Sequence, residues 1–327
     1  MRSALSGLCG LLAALLLPLA LVSVWLHTVV ADTDAYLARV DPLAAEEQVR
    51  DAVEELLVEI VLQRVDLTAL GARLELAAGY PELALDLPGD LDERLEELRE
   101  QVGPLLEEAG GDRAAAAEEV VRRVVVAVVG SDAFPDLWST AQRAGHREVV
   151  SVLDSPDPLR AGEQVVVPLD AFVDAVEAQL AGFGLPVEGT LEGLSGALPL
   201  AAAEDLEPAR EVYRILEPLW LLLPVAAAGL ALLSLGLARR RLRTLAVLGG
   251  LASLLCLGLL VFLGLGRGLL LGTSRSAAAE LLTGRTADAV SADLRDAAVT
   301  GVLVGVAAVV VAAVLGAGLR AVRRTGG

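Results

Sequence analysis

The sequence predicts a mainly α membrane protein: four transmembrane helices, with an α-rich exported domain and a minor β element between spans 1 and 2. Three observations carry that prediction. First, the runs 8–26, 218–238, 245–265 and 297–319 contain no Asp, Glu, Lys or Arg, and an α-helix needs about 20 apolar residues to cross roughly 30 Å of hydrocarbon. Second, the acids are segregated, with 40 of the 44 between residues 32 and 217 and the other four between 266 and 296. Third, eight arginines stand with no acid among them: Arg2, Arg239, Arg240, Arg241, Arg243, Arg320, Arg323 and Arg324. Short cytoplasmic segments are enriched in Lys and Arg, whereas long domains cross the membrane largely regardless of charge. Both termini are therefore expected in the cytoplasm, with residues 32–217 outside and residues 266–296 forming an outer loop. The resulting division is an anchor over 1–31, an acidic domain over 32–217, and a three-span membrane domain with a cytoplasmic tail over 218–327.

Residues 1–31 admit two readings. Val29, Val30 and Ala31 place small residues where a signal peptidase would cut, but the apolar core of 19 residues exceeds the usual ~7–15, which favours an uncleaved anchor. Cys9 and Cys256 both fall inside spans. The exported domain thus has no disulfide and must be held by its core.

Within that domain, Val49, Val53, Leu56, Leu57, Ile60 and Val61 recur at helical spacing and predict a helix over 44–66. A second helix is expected from near Asp90, with Leu91, Leu95, Leu98, Val102 and Leu105 on one face and Gly103–Pro104 interrupting it. A third covers 112–129. Ser131 and Asp132 offer cap chemistry and Pro135 suits a first turn, so a fourth helix covers 135–153 with Trp138, Ala141, Gly145, Val149 and Val152 inward. The β-branched stretch 164–167 reads as a brief strand. A helix over 169–181 follows, then a Gly- and Leu-rich loop to residue 200, then a helix over 204–217 that runs into the second span, with Pro218 and Pro224 kinking the junction.

The same order of segments resembles a family of uncharacterised integral membrane proteins common in high-GC actinobacteria. The resemblance runs through Val24, Trp25, Asp32, Thr33, Asp34, Tyr36 and Val40 to Ala44. It continues through Ser131, Asp132, Ala133, Phe134, Leu137, Trp138, Arg143, Ala144, His146 and Val150, then Val167, Leu169 and Asp170, and the arginine cluster after the second span. It implies one N-terminal span, an exported region and three C-terminal spans, and no biochemical activity. A lysine-free, acidic exterior equally suits a salt-adapted host.

Composition excludes several functions. A net charge of −18 lacks the basic footprint that nucleic acid requires. His146 is the only histidine between residues 32 and 217, and that segment has no Cys, so a zinc site is short of ligands and a structural imidazole is expected, bonded to a backbone carbonyl or a carboxylate. The acids Asp86, Asp90, Asp92 and Glu93 lack the spacing of a Ca²⁺ loop and read as a solvated face. Ser131, Ser139, Ser151 and Ser195 have no nucleophile elbow around them. No phosphate-binding loop occurs, and spans without ionisable groups argue against a proton-coupled pump. Trp138, Arg143 and His146 stand as the candidate binding residues, with no catalytic residue, metal or cofactor expected. Gly249, Gly250, Gly258 and the Gly301/Gly305 pair suit close packing of spans or a homodimer.

The function expected is therefore a non-enzymatic, multi-pass envelope protein whose partners are the lipid bilayer and an envelope protein or small ligand. The alternatives are a membrane-anchored enzyme acting on lipid or cell wall through carboxylates near His146, and a transporter accessory subunit. Acids converging on His146 would favour the enzyme; an apolar groove at the membrane would favour lipid binding.

Overall fold

The computed structural model describes residues 2–64, 112–155, 164–168, 197–272 and 276–325. The helices expected near Asp90 and over 169–181 lie outside these residues, as do the acids Asp86 to Glu93. Helix α1 (Arg2–Trp25) passes into a π-helical turn, Leu26–Val30. A short helix α2 (Thr33–Val40) then begins where the Asp32 carboxylate accepts from the backbone N–H groups of Asp34 and Ala35 at 2.9 and 3.0 Å. That is ordinary N-cap chemistry. It was legible at Asp32, but eight residues are too few for a periodicity argument. A 3₁₀ turn, Asp41–Ala45, carries Pro42 near its start and leads into α3 (Glu47–Arg64).

Helix α4 (Arg113–Val129) is capped by Asp112, which accepts from Ala114 and Ala115. Helix α5 (Phe134–Asp154) follows after a tight turn. The expected Ser131 and Asp132 caps are not used: Ala133 occupies the cap position, and the Ser131 hydroxyl donates back to the Val128 carbonyl at 2.6 Å. Strand β1 (Gln164–Pro168) pairs antiparallel with β2 (Ala197–Ala202), an irregularity between Val165 and Val166 shifting the register. Part of β2 thus falls where a loop to residue 200 was expected.

Helix α6 (Ala203–Leu216), a 3₁₀ turn (Glu217–Leu219) and α7 (Leu222–Leu237) follow, bent by 64° at the break. Pro218 and Pro224 flank that break, as expected of residues that cannot continue a helical ladder. Helices α8 (Arg241–Gly272) and α9 (Ala277–Thr325) complete the chain. Among the described residues three helices are long and apolar enough to cross a membrane, or four if the bent pair forms one span.

Residues 277–296 form no loop; they are the first turns of α9, a helix of 49 residues that at 1.5 Å per residue is roughly 74 Å long, more than twice the hydrocarbon thickness. Five of the eight charges that suggested a loop, Asp288, Asp293, Arg267, Arg285 and Arg295, lie in ion pairs on helix surfaces. Arg267 grips Asp288 through Nε at 2.8 Å and Nη2 at 3.0 Å, Arg295 reaches the same carboxylate at 3.3 Å, and Arg285 meets Gln48 at 2.7 Å and Glu46 at 3.5 Å. Arg39 and Asp293 pair across α2 and α9.

This extension enters the core of the acidic segment. Leu37, Val40, Leu43, Val49, Val58, Val121, Val125, Val129, Phe134 and Trp138 form a buried cluster against which Leu281, Leu282, Ala289 and Val290 of α9 pack. A second cluster joins Leu26, Leu153 and Tyr213, and a third joins Leu259, Leu294 and Ala298 to Leu21 and Trp25. The Trp25 indole donates to the Val290 carbonyl at 2.9 Å, which ties α1 to α9.

Candidate functional site

The three candidate residues lie together on α5, which packs on α2 and the 3₁₀ turn. Trp138 is buried, tilts against Phe134 with ring centroids 6.3 Å apart, and donates from Nε1 to the Val40 carbonyl at 3.0 Å. His146 is also buried. Its ring stacks on Tyr36 at 4.1 Å, and its Nδ1 lies 3.2 Å from the Thr33 hydroxyl. The backbone partner expected from sequence is present at Val30, and α2, unseen there, adds Thr33 and Tyr36 to the surroundings of the imidazole. Arg143 lies further out and pairs with Asp34 at 2.8 Å.

Most of the groups around them pair with one another, although Asp41 Oδ1 is buried with no hydrogen-bond partner. The Tyr36 hydroxyl donates to Gln142 at 2.8 Å, and Ser139 donates to Asp41 at 3.2 Å. Burial, with help from the nearby Asp41 charge, pushes the Tyr36 phenol up to about 12. Burial likewise lowers His146 below its ordinary 6.5, partly offset by the Val30 backbone and by Asp32. A neutral imidazole and a protonated phenol suit a packed seam between two helices. The inward face of α5 is also rotated slightly from expectation: Leu137 and Leu153 are buried, while Val152 is half-buried.

The spans build a different kind of site. Helices α1 and α7 are joined by reciprocal bonds, Ser6 Oγ to the Ser234 carbonyl and Ser234 Oγ to the Ser6 carbonyl, both at 2.8 Å. Gly10 lets Ser234 approach, since a Cβ there would meet its hydroxyl at 2.9 Å. Helices α8 and α9 form the second pair. A Cβ on Gly249 would lie 2.6 Å from the Gly305 carbonyl, one on Gly301 would lie 2.7 Å from Cys256 Sγ, and Ser253 donates to the Val302 carbonyl at 3.0 Å. Gly249, Gly301 and Gly305 are therefore taken up in packing within the chain.

Between the two pairs runs a slot of about 380 Å³. Its walls are Ala13, Ala14, Leu17 and Ala20 of α1, Ala227 and Ala231 of α7, Leu248 and Ala252 of α8, and Leu294 and Ala297 of α9. Trp25, Thr28 and Asp293 border the end nearest the acidic segment. Trp25 is bonded to Val290, Thr28 to the Val24 carbonyl at 2.8 Å, and one oxygen of Asp293, Oδ2, to Arg39. Sequence reasoning missed the slot; alanines facing one another across helices leave no local pattern.

Among the described residues no group of three or more His, Cys, Asp or Glu is placed to hold a metal ion. No known protein family, curated protein or solved structure matches the chain.

Proposed function

We propose that this chain is a non-enzymatic, multi-pass envelope membrane protein. In this reading it has four spans, the bent α6/α7 pair supplying the second, both termini lie in the cytoplasm, and the acidic domain over 32–217 lies outside with the two strands as its minor β element. That domain binds an envelope protein or a cationic ligand. The kinship with uncharacterised actinobacterial membrane proteins is part of the same proposal. The carrying observation is the state of the candidate site. Trp138 and His146 are buried in the α2/α5 seam and Arg143 is paired with Asp34, so the groups best suited to chemistry are engaged in holding helices together. Binding then falls to the acidic surface, whose segment carries 40 acids against 14 arginines. Such a field favours cationic partners and weakens with salt. Gly249, Gly301 and Gly305 being occupied within the chain favours span packing over a glycine-mediated homodimer.

The test is affinity capture of the intact tagged protein from its native membranes at low and high salt. The reading expects one envelope component retained at low salt and released as ionic strength rises. Retention independent of salt, or hydrolysis of lipid or cell-wall substrates abolished by His146→Gln in a folded protein, would overturn it.

A further inference from the structure

The inter-span slot has a chemistry of its own that the acidic domain does not share. We propose that it holds one acyl chain of a bilayer phospholipid, with the headgroup at the rim formed by Thr28, Asp293 and Arg39. Four features of the slot select this occupant.

The first is shape. From Ala13 to Thr28 the α1 wall spans 15 residue steps, about 22 Å at 1.5 Å per residue, so the space is long and narrow. Its volume of about 380 Å³ is many times the roughly 10–15 Å³ that a single water needs, so the slot has room for an extended apolar chain. The second is lining. Eight of the eighteen wall residues are alanines, and the only charged one is Asp293 at the rim. A polar ligand would find little inside, since the Trp25 indole and the Thr28 hydroxyl are already bonded within the chain and the one charged group, Asp293, stands at the rim. Water fails on the same ground, because a buried water needs two to four polar partners.

The third is position. All four walls are helices of the apolar candidate spans, so the slot lies at the depth of the hydrocarbon, where lipid chains are the abundant apolar solute. The fourth is the polarity gradient along it. The deep end near Ala13 and Leu248 is wholly apolar, while the Arg39–Asp293 ion pair, partly exposed, stands at the opposite end. A phospholipid has that same polarity, a hydrocarbon tail ending in a charged headgroup, and the rim offers both a cation and an anion to a zwitterion or a phosphate. The two-pair construction explains why the space persists. Serine bonds and glycine contacts weld each pair internally, so closing the slot would require moving two rigid units together against the Trp25–Val290 tie.

The experiment uses the full chain extracted from membranes with a mild detergent and analysed by native mass spectrometry. Ala231→Leu and Ala297→Leu fill the slot from opposite walls. The proposal expects one retained phospholipid per chain in the wild type, lost at least tenfold in the double variant while its melting temperature holds or rises. Should the double variant fail to fold, a second readout decides on otherwise native protein: with Trp138→Phe and Trp220→Phe, Trp25 is the sole tryptophan, and phospholipids brominated on the acyl chain should quench it saturably at one lipid per chain. The proposal is overturned by a wild type that retains no phospholipid above the annular background, by equal retention in a folded double variant, by quenching that rises linearly without saturation, or by a retained species that is a protein segment or a non-lipid apolar molecule.

Discussion

Replacing Trp138 by Ala should remove a large share of the stability of the acidic domain. The side chain is 8% exposed, and a buried tryptophan removes about 150–250 Å² from water. At about 25 cal/mol per Å² that area amounts to roughly 4–6 kcal/mol, an upper figure because the unfolded chain already hides part of it. Truncations of buried Phe or Trp to Ala fall at about 3–5 kcal/mol once cavity formation is included. The Val40 carbonyl, bonded to Trp138 Nε1 at 3.0 Å, would lose its side-chain donor at a further cost of about 1 kcal/mol. The expected loss is therefore about 4–6 kcal/mol. Denaturant unfolding of the full chain in lipid nanodiscs, followed by near-UV circular dichroism, measures it. Trp138→Phe keeps most of the packing and loses only the donor, so about 1–2 kcal/mol is expected. A loss below about 1 kcal/mol in the alanine variant, or equal losses in both, would refute the claim that this indole anchors the α2/α5 seam.

Other outcomes follow from the same structure. His146 is lowered below 6.5 mainly by burial, so the unfolded chain takes up a proton first as the pH falls. Stability from this group is complete above its ordinary value near 6.5 and declines as the pH drops through the lower folded value; His146→Gln should flatten that decline in melts between pH 7 and 4, and an unchanged slope would count against it. Gly249→Ala should lower the melting temperature, because its Cβ would lie 2.6 Å from the Gly305 carbonyl and overpacking typically costs about 1–3 kcal/mol, with no change of oligomeric state by light scattering. A segment with a net charge of −26, from 14 arginines and 40 acids, should be stabilised by NaCl; a much larger rise with millimolar Ca²⁺ at matched ionic strength would contradict the solvated-face reading of Asp86 to Glu93.

The apolar runs and the helical stripes were readable because each is a local property of the chain. Charge-free segments announce spans, and Pro135 after Ser131 and Asp132 announces α5 even though neither cap side chain is used. What escaped was non-local. The first turns of α9 resembled a loop because their charges were counted without partners, whereas Arg267, Arg285 and Arg295 spend those charges on Asp288, Glu46 and Gln48. The signal was present in Ala278, Leu281, Leu282, Ala289 and Val290, whose spacing marks one helical face. At the candidate site, Trp138 and His146 were placed on a common inward face correctly, but their partners Val40, Thr33 and Tyr36 come from α2 and its exit, some hundred residues away. The slot depends on four helices at once and had no sequence signature at all.

The arrangement across the membrane is the premise on which the rest stands, since it alone puts eight arginines on one side and all 44 acids on the other. Reporter fusions that distinguish cytoplasm from exterior test it most directly when placed after Gly110, Arg243, Thr283 and Arg324. The account predicts exterior activity at Gly110 and at Thr283 on the α9 extension, and cytoplasmic activity at Arg243 and Arg324. An exterior signal after Arg324, or a cytoplasmic one at Thr283, would contradict it.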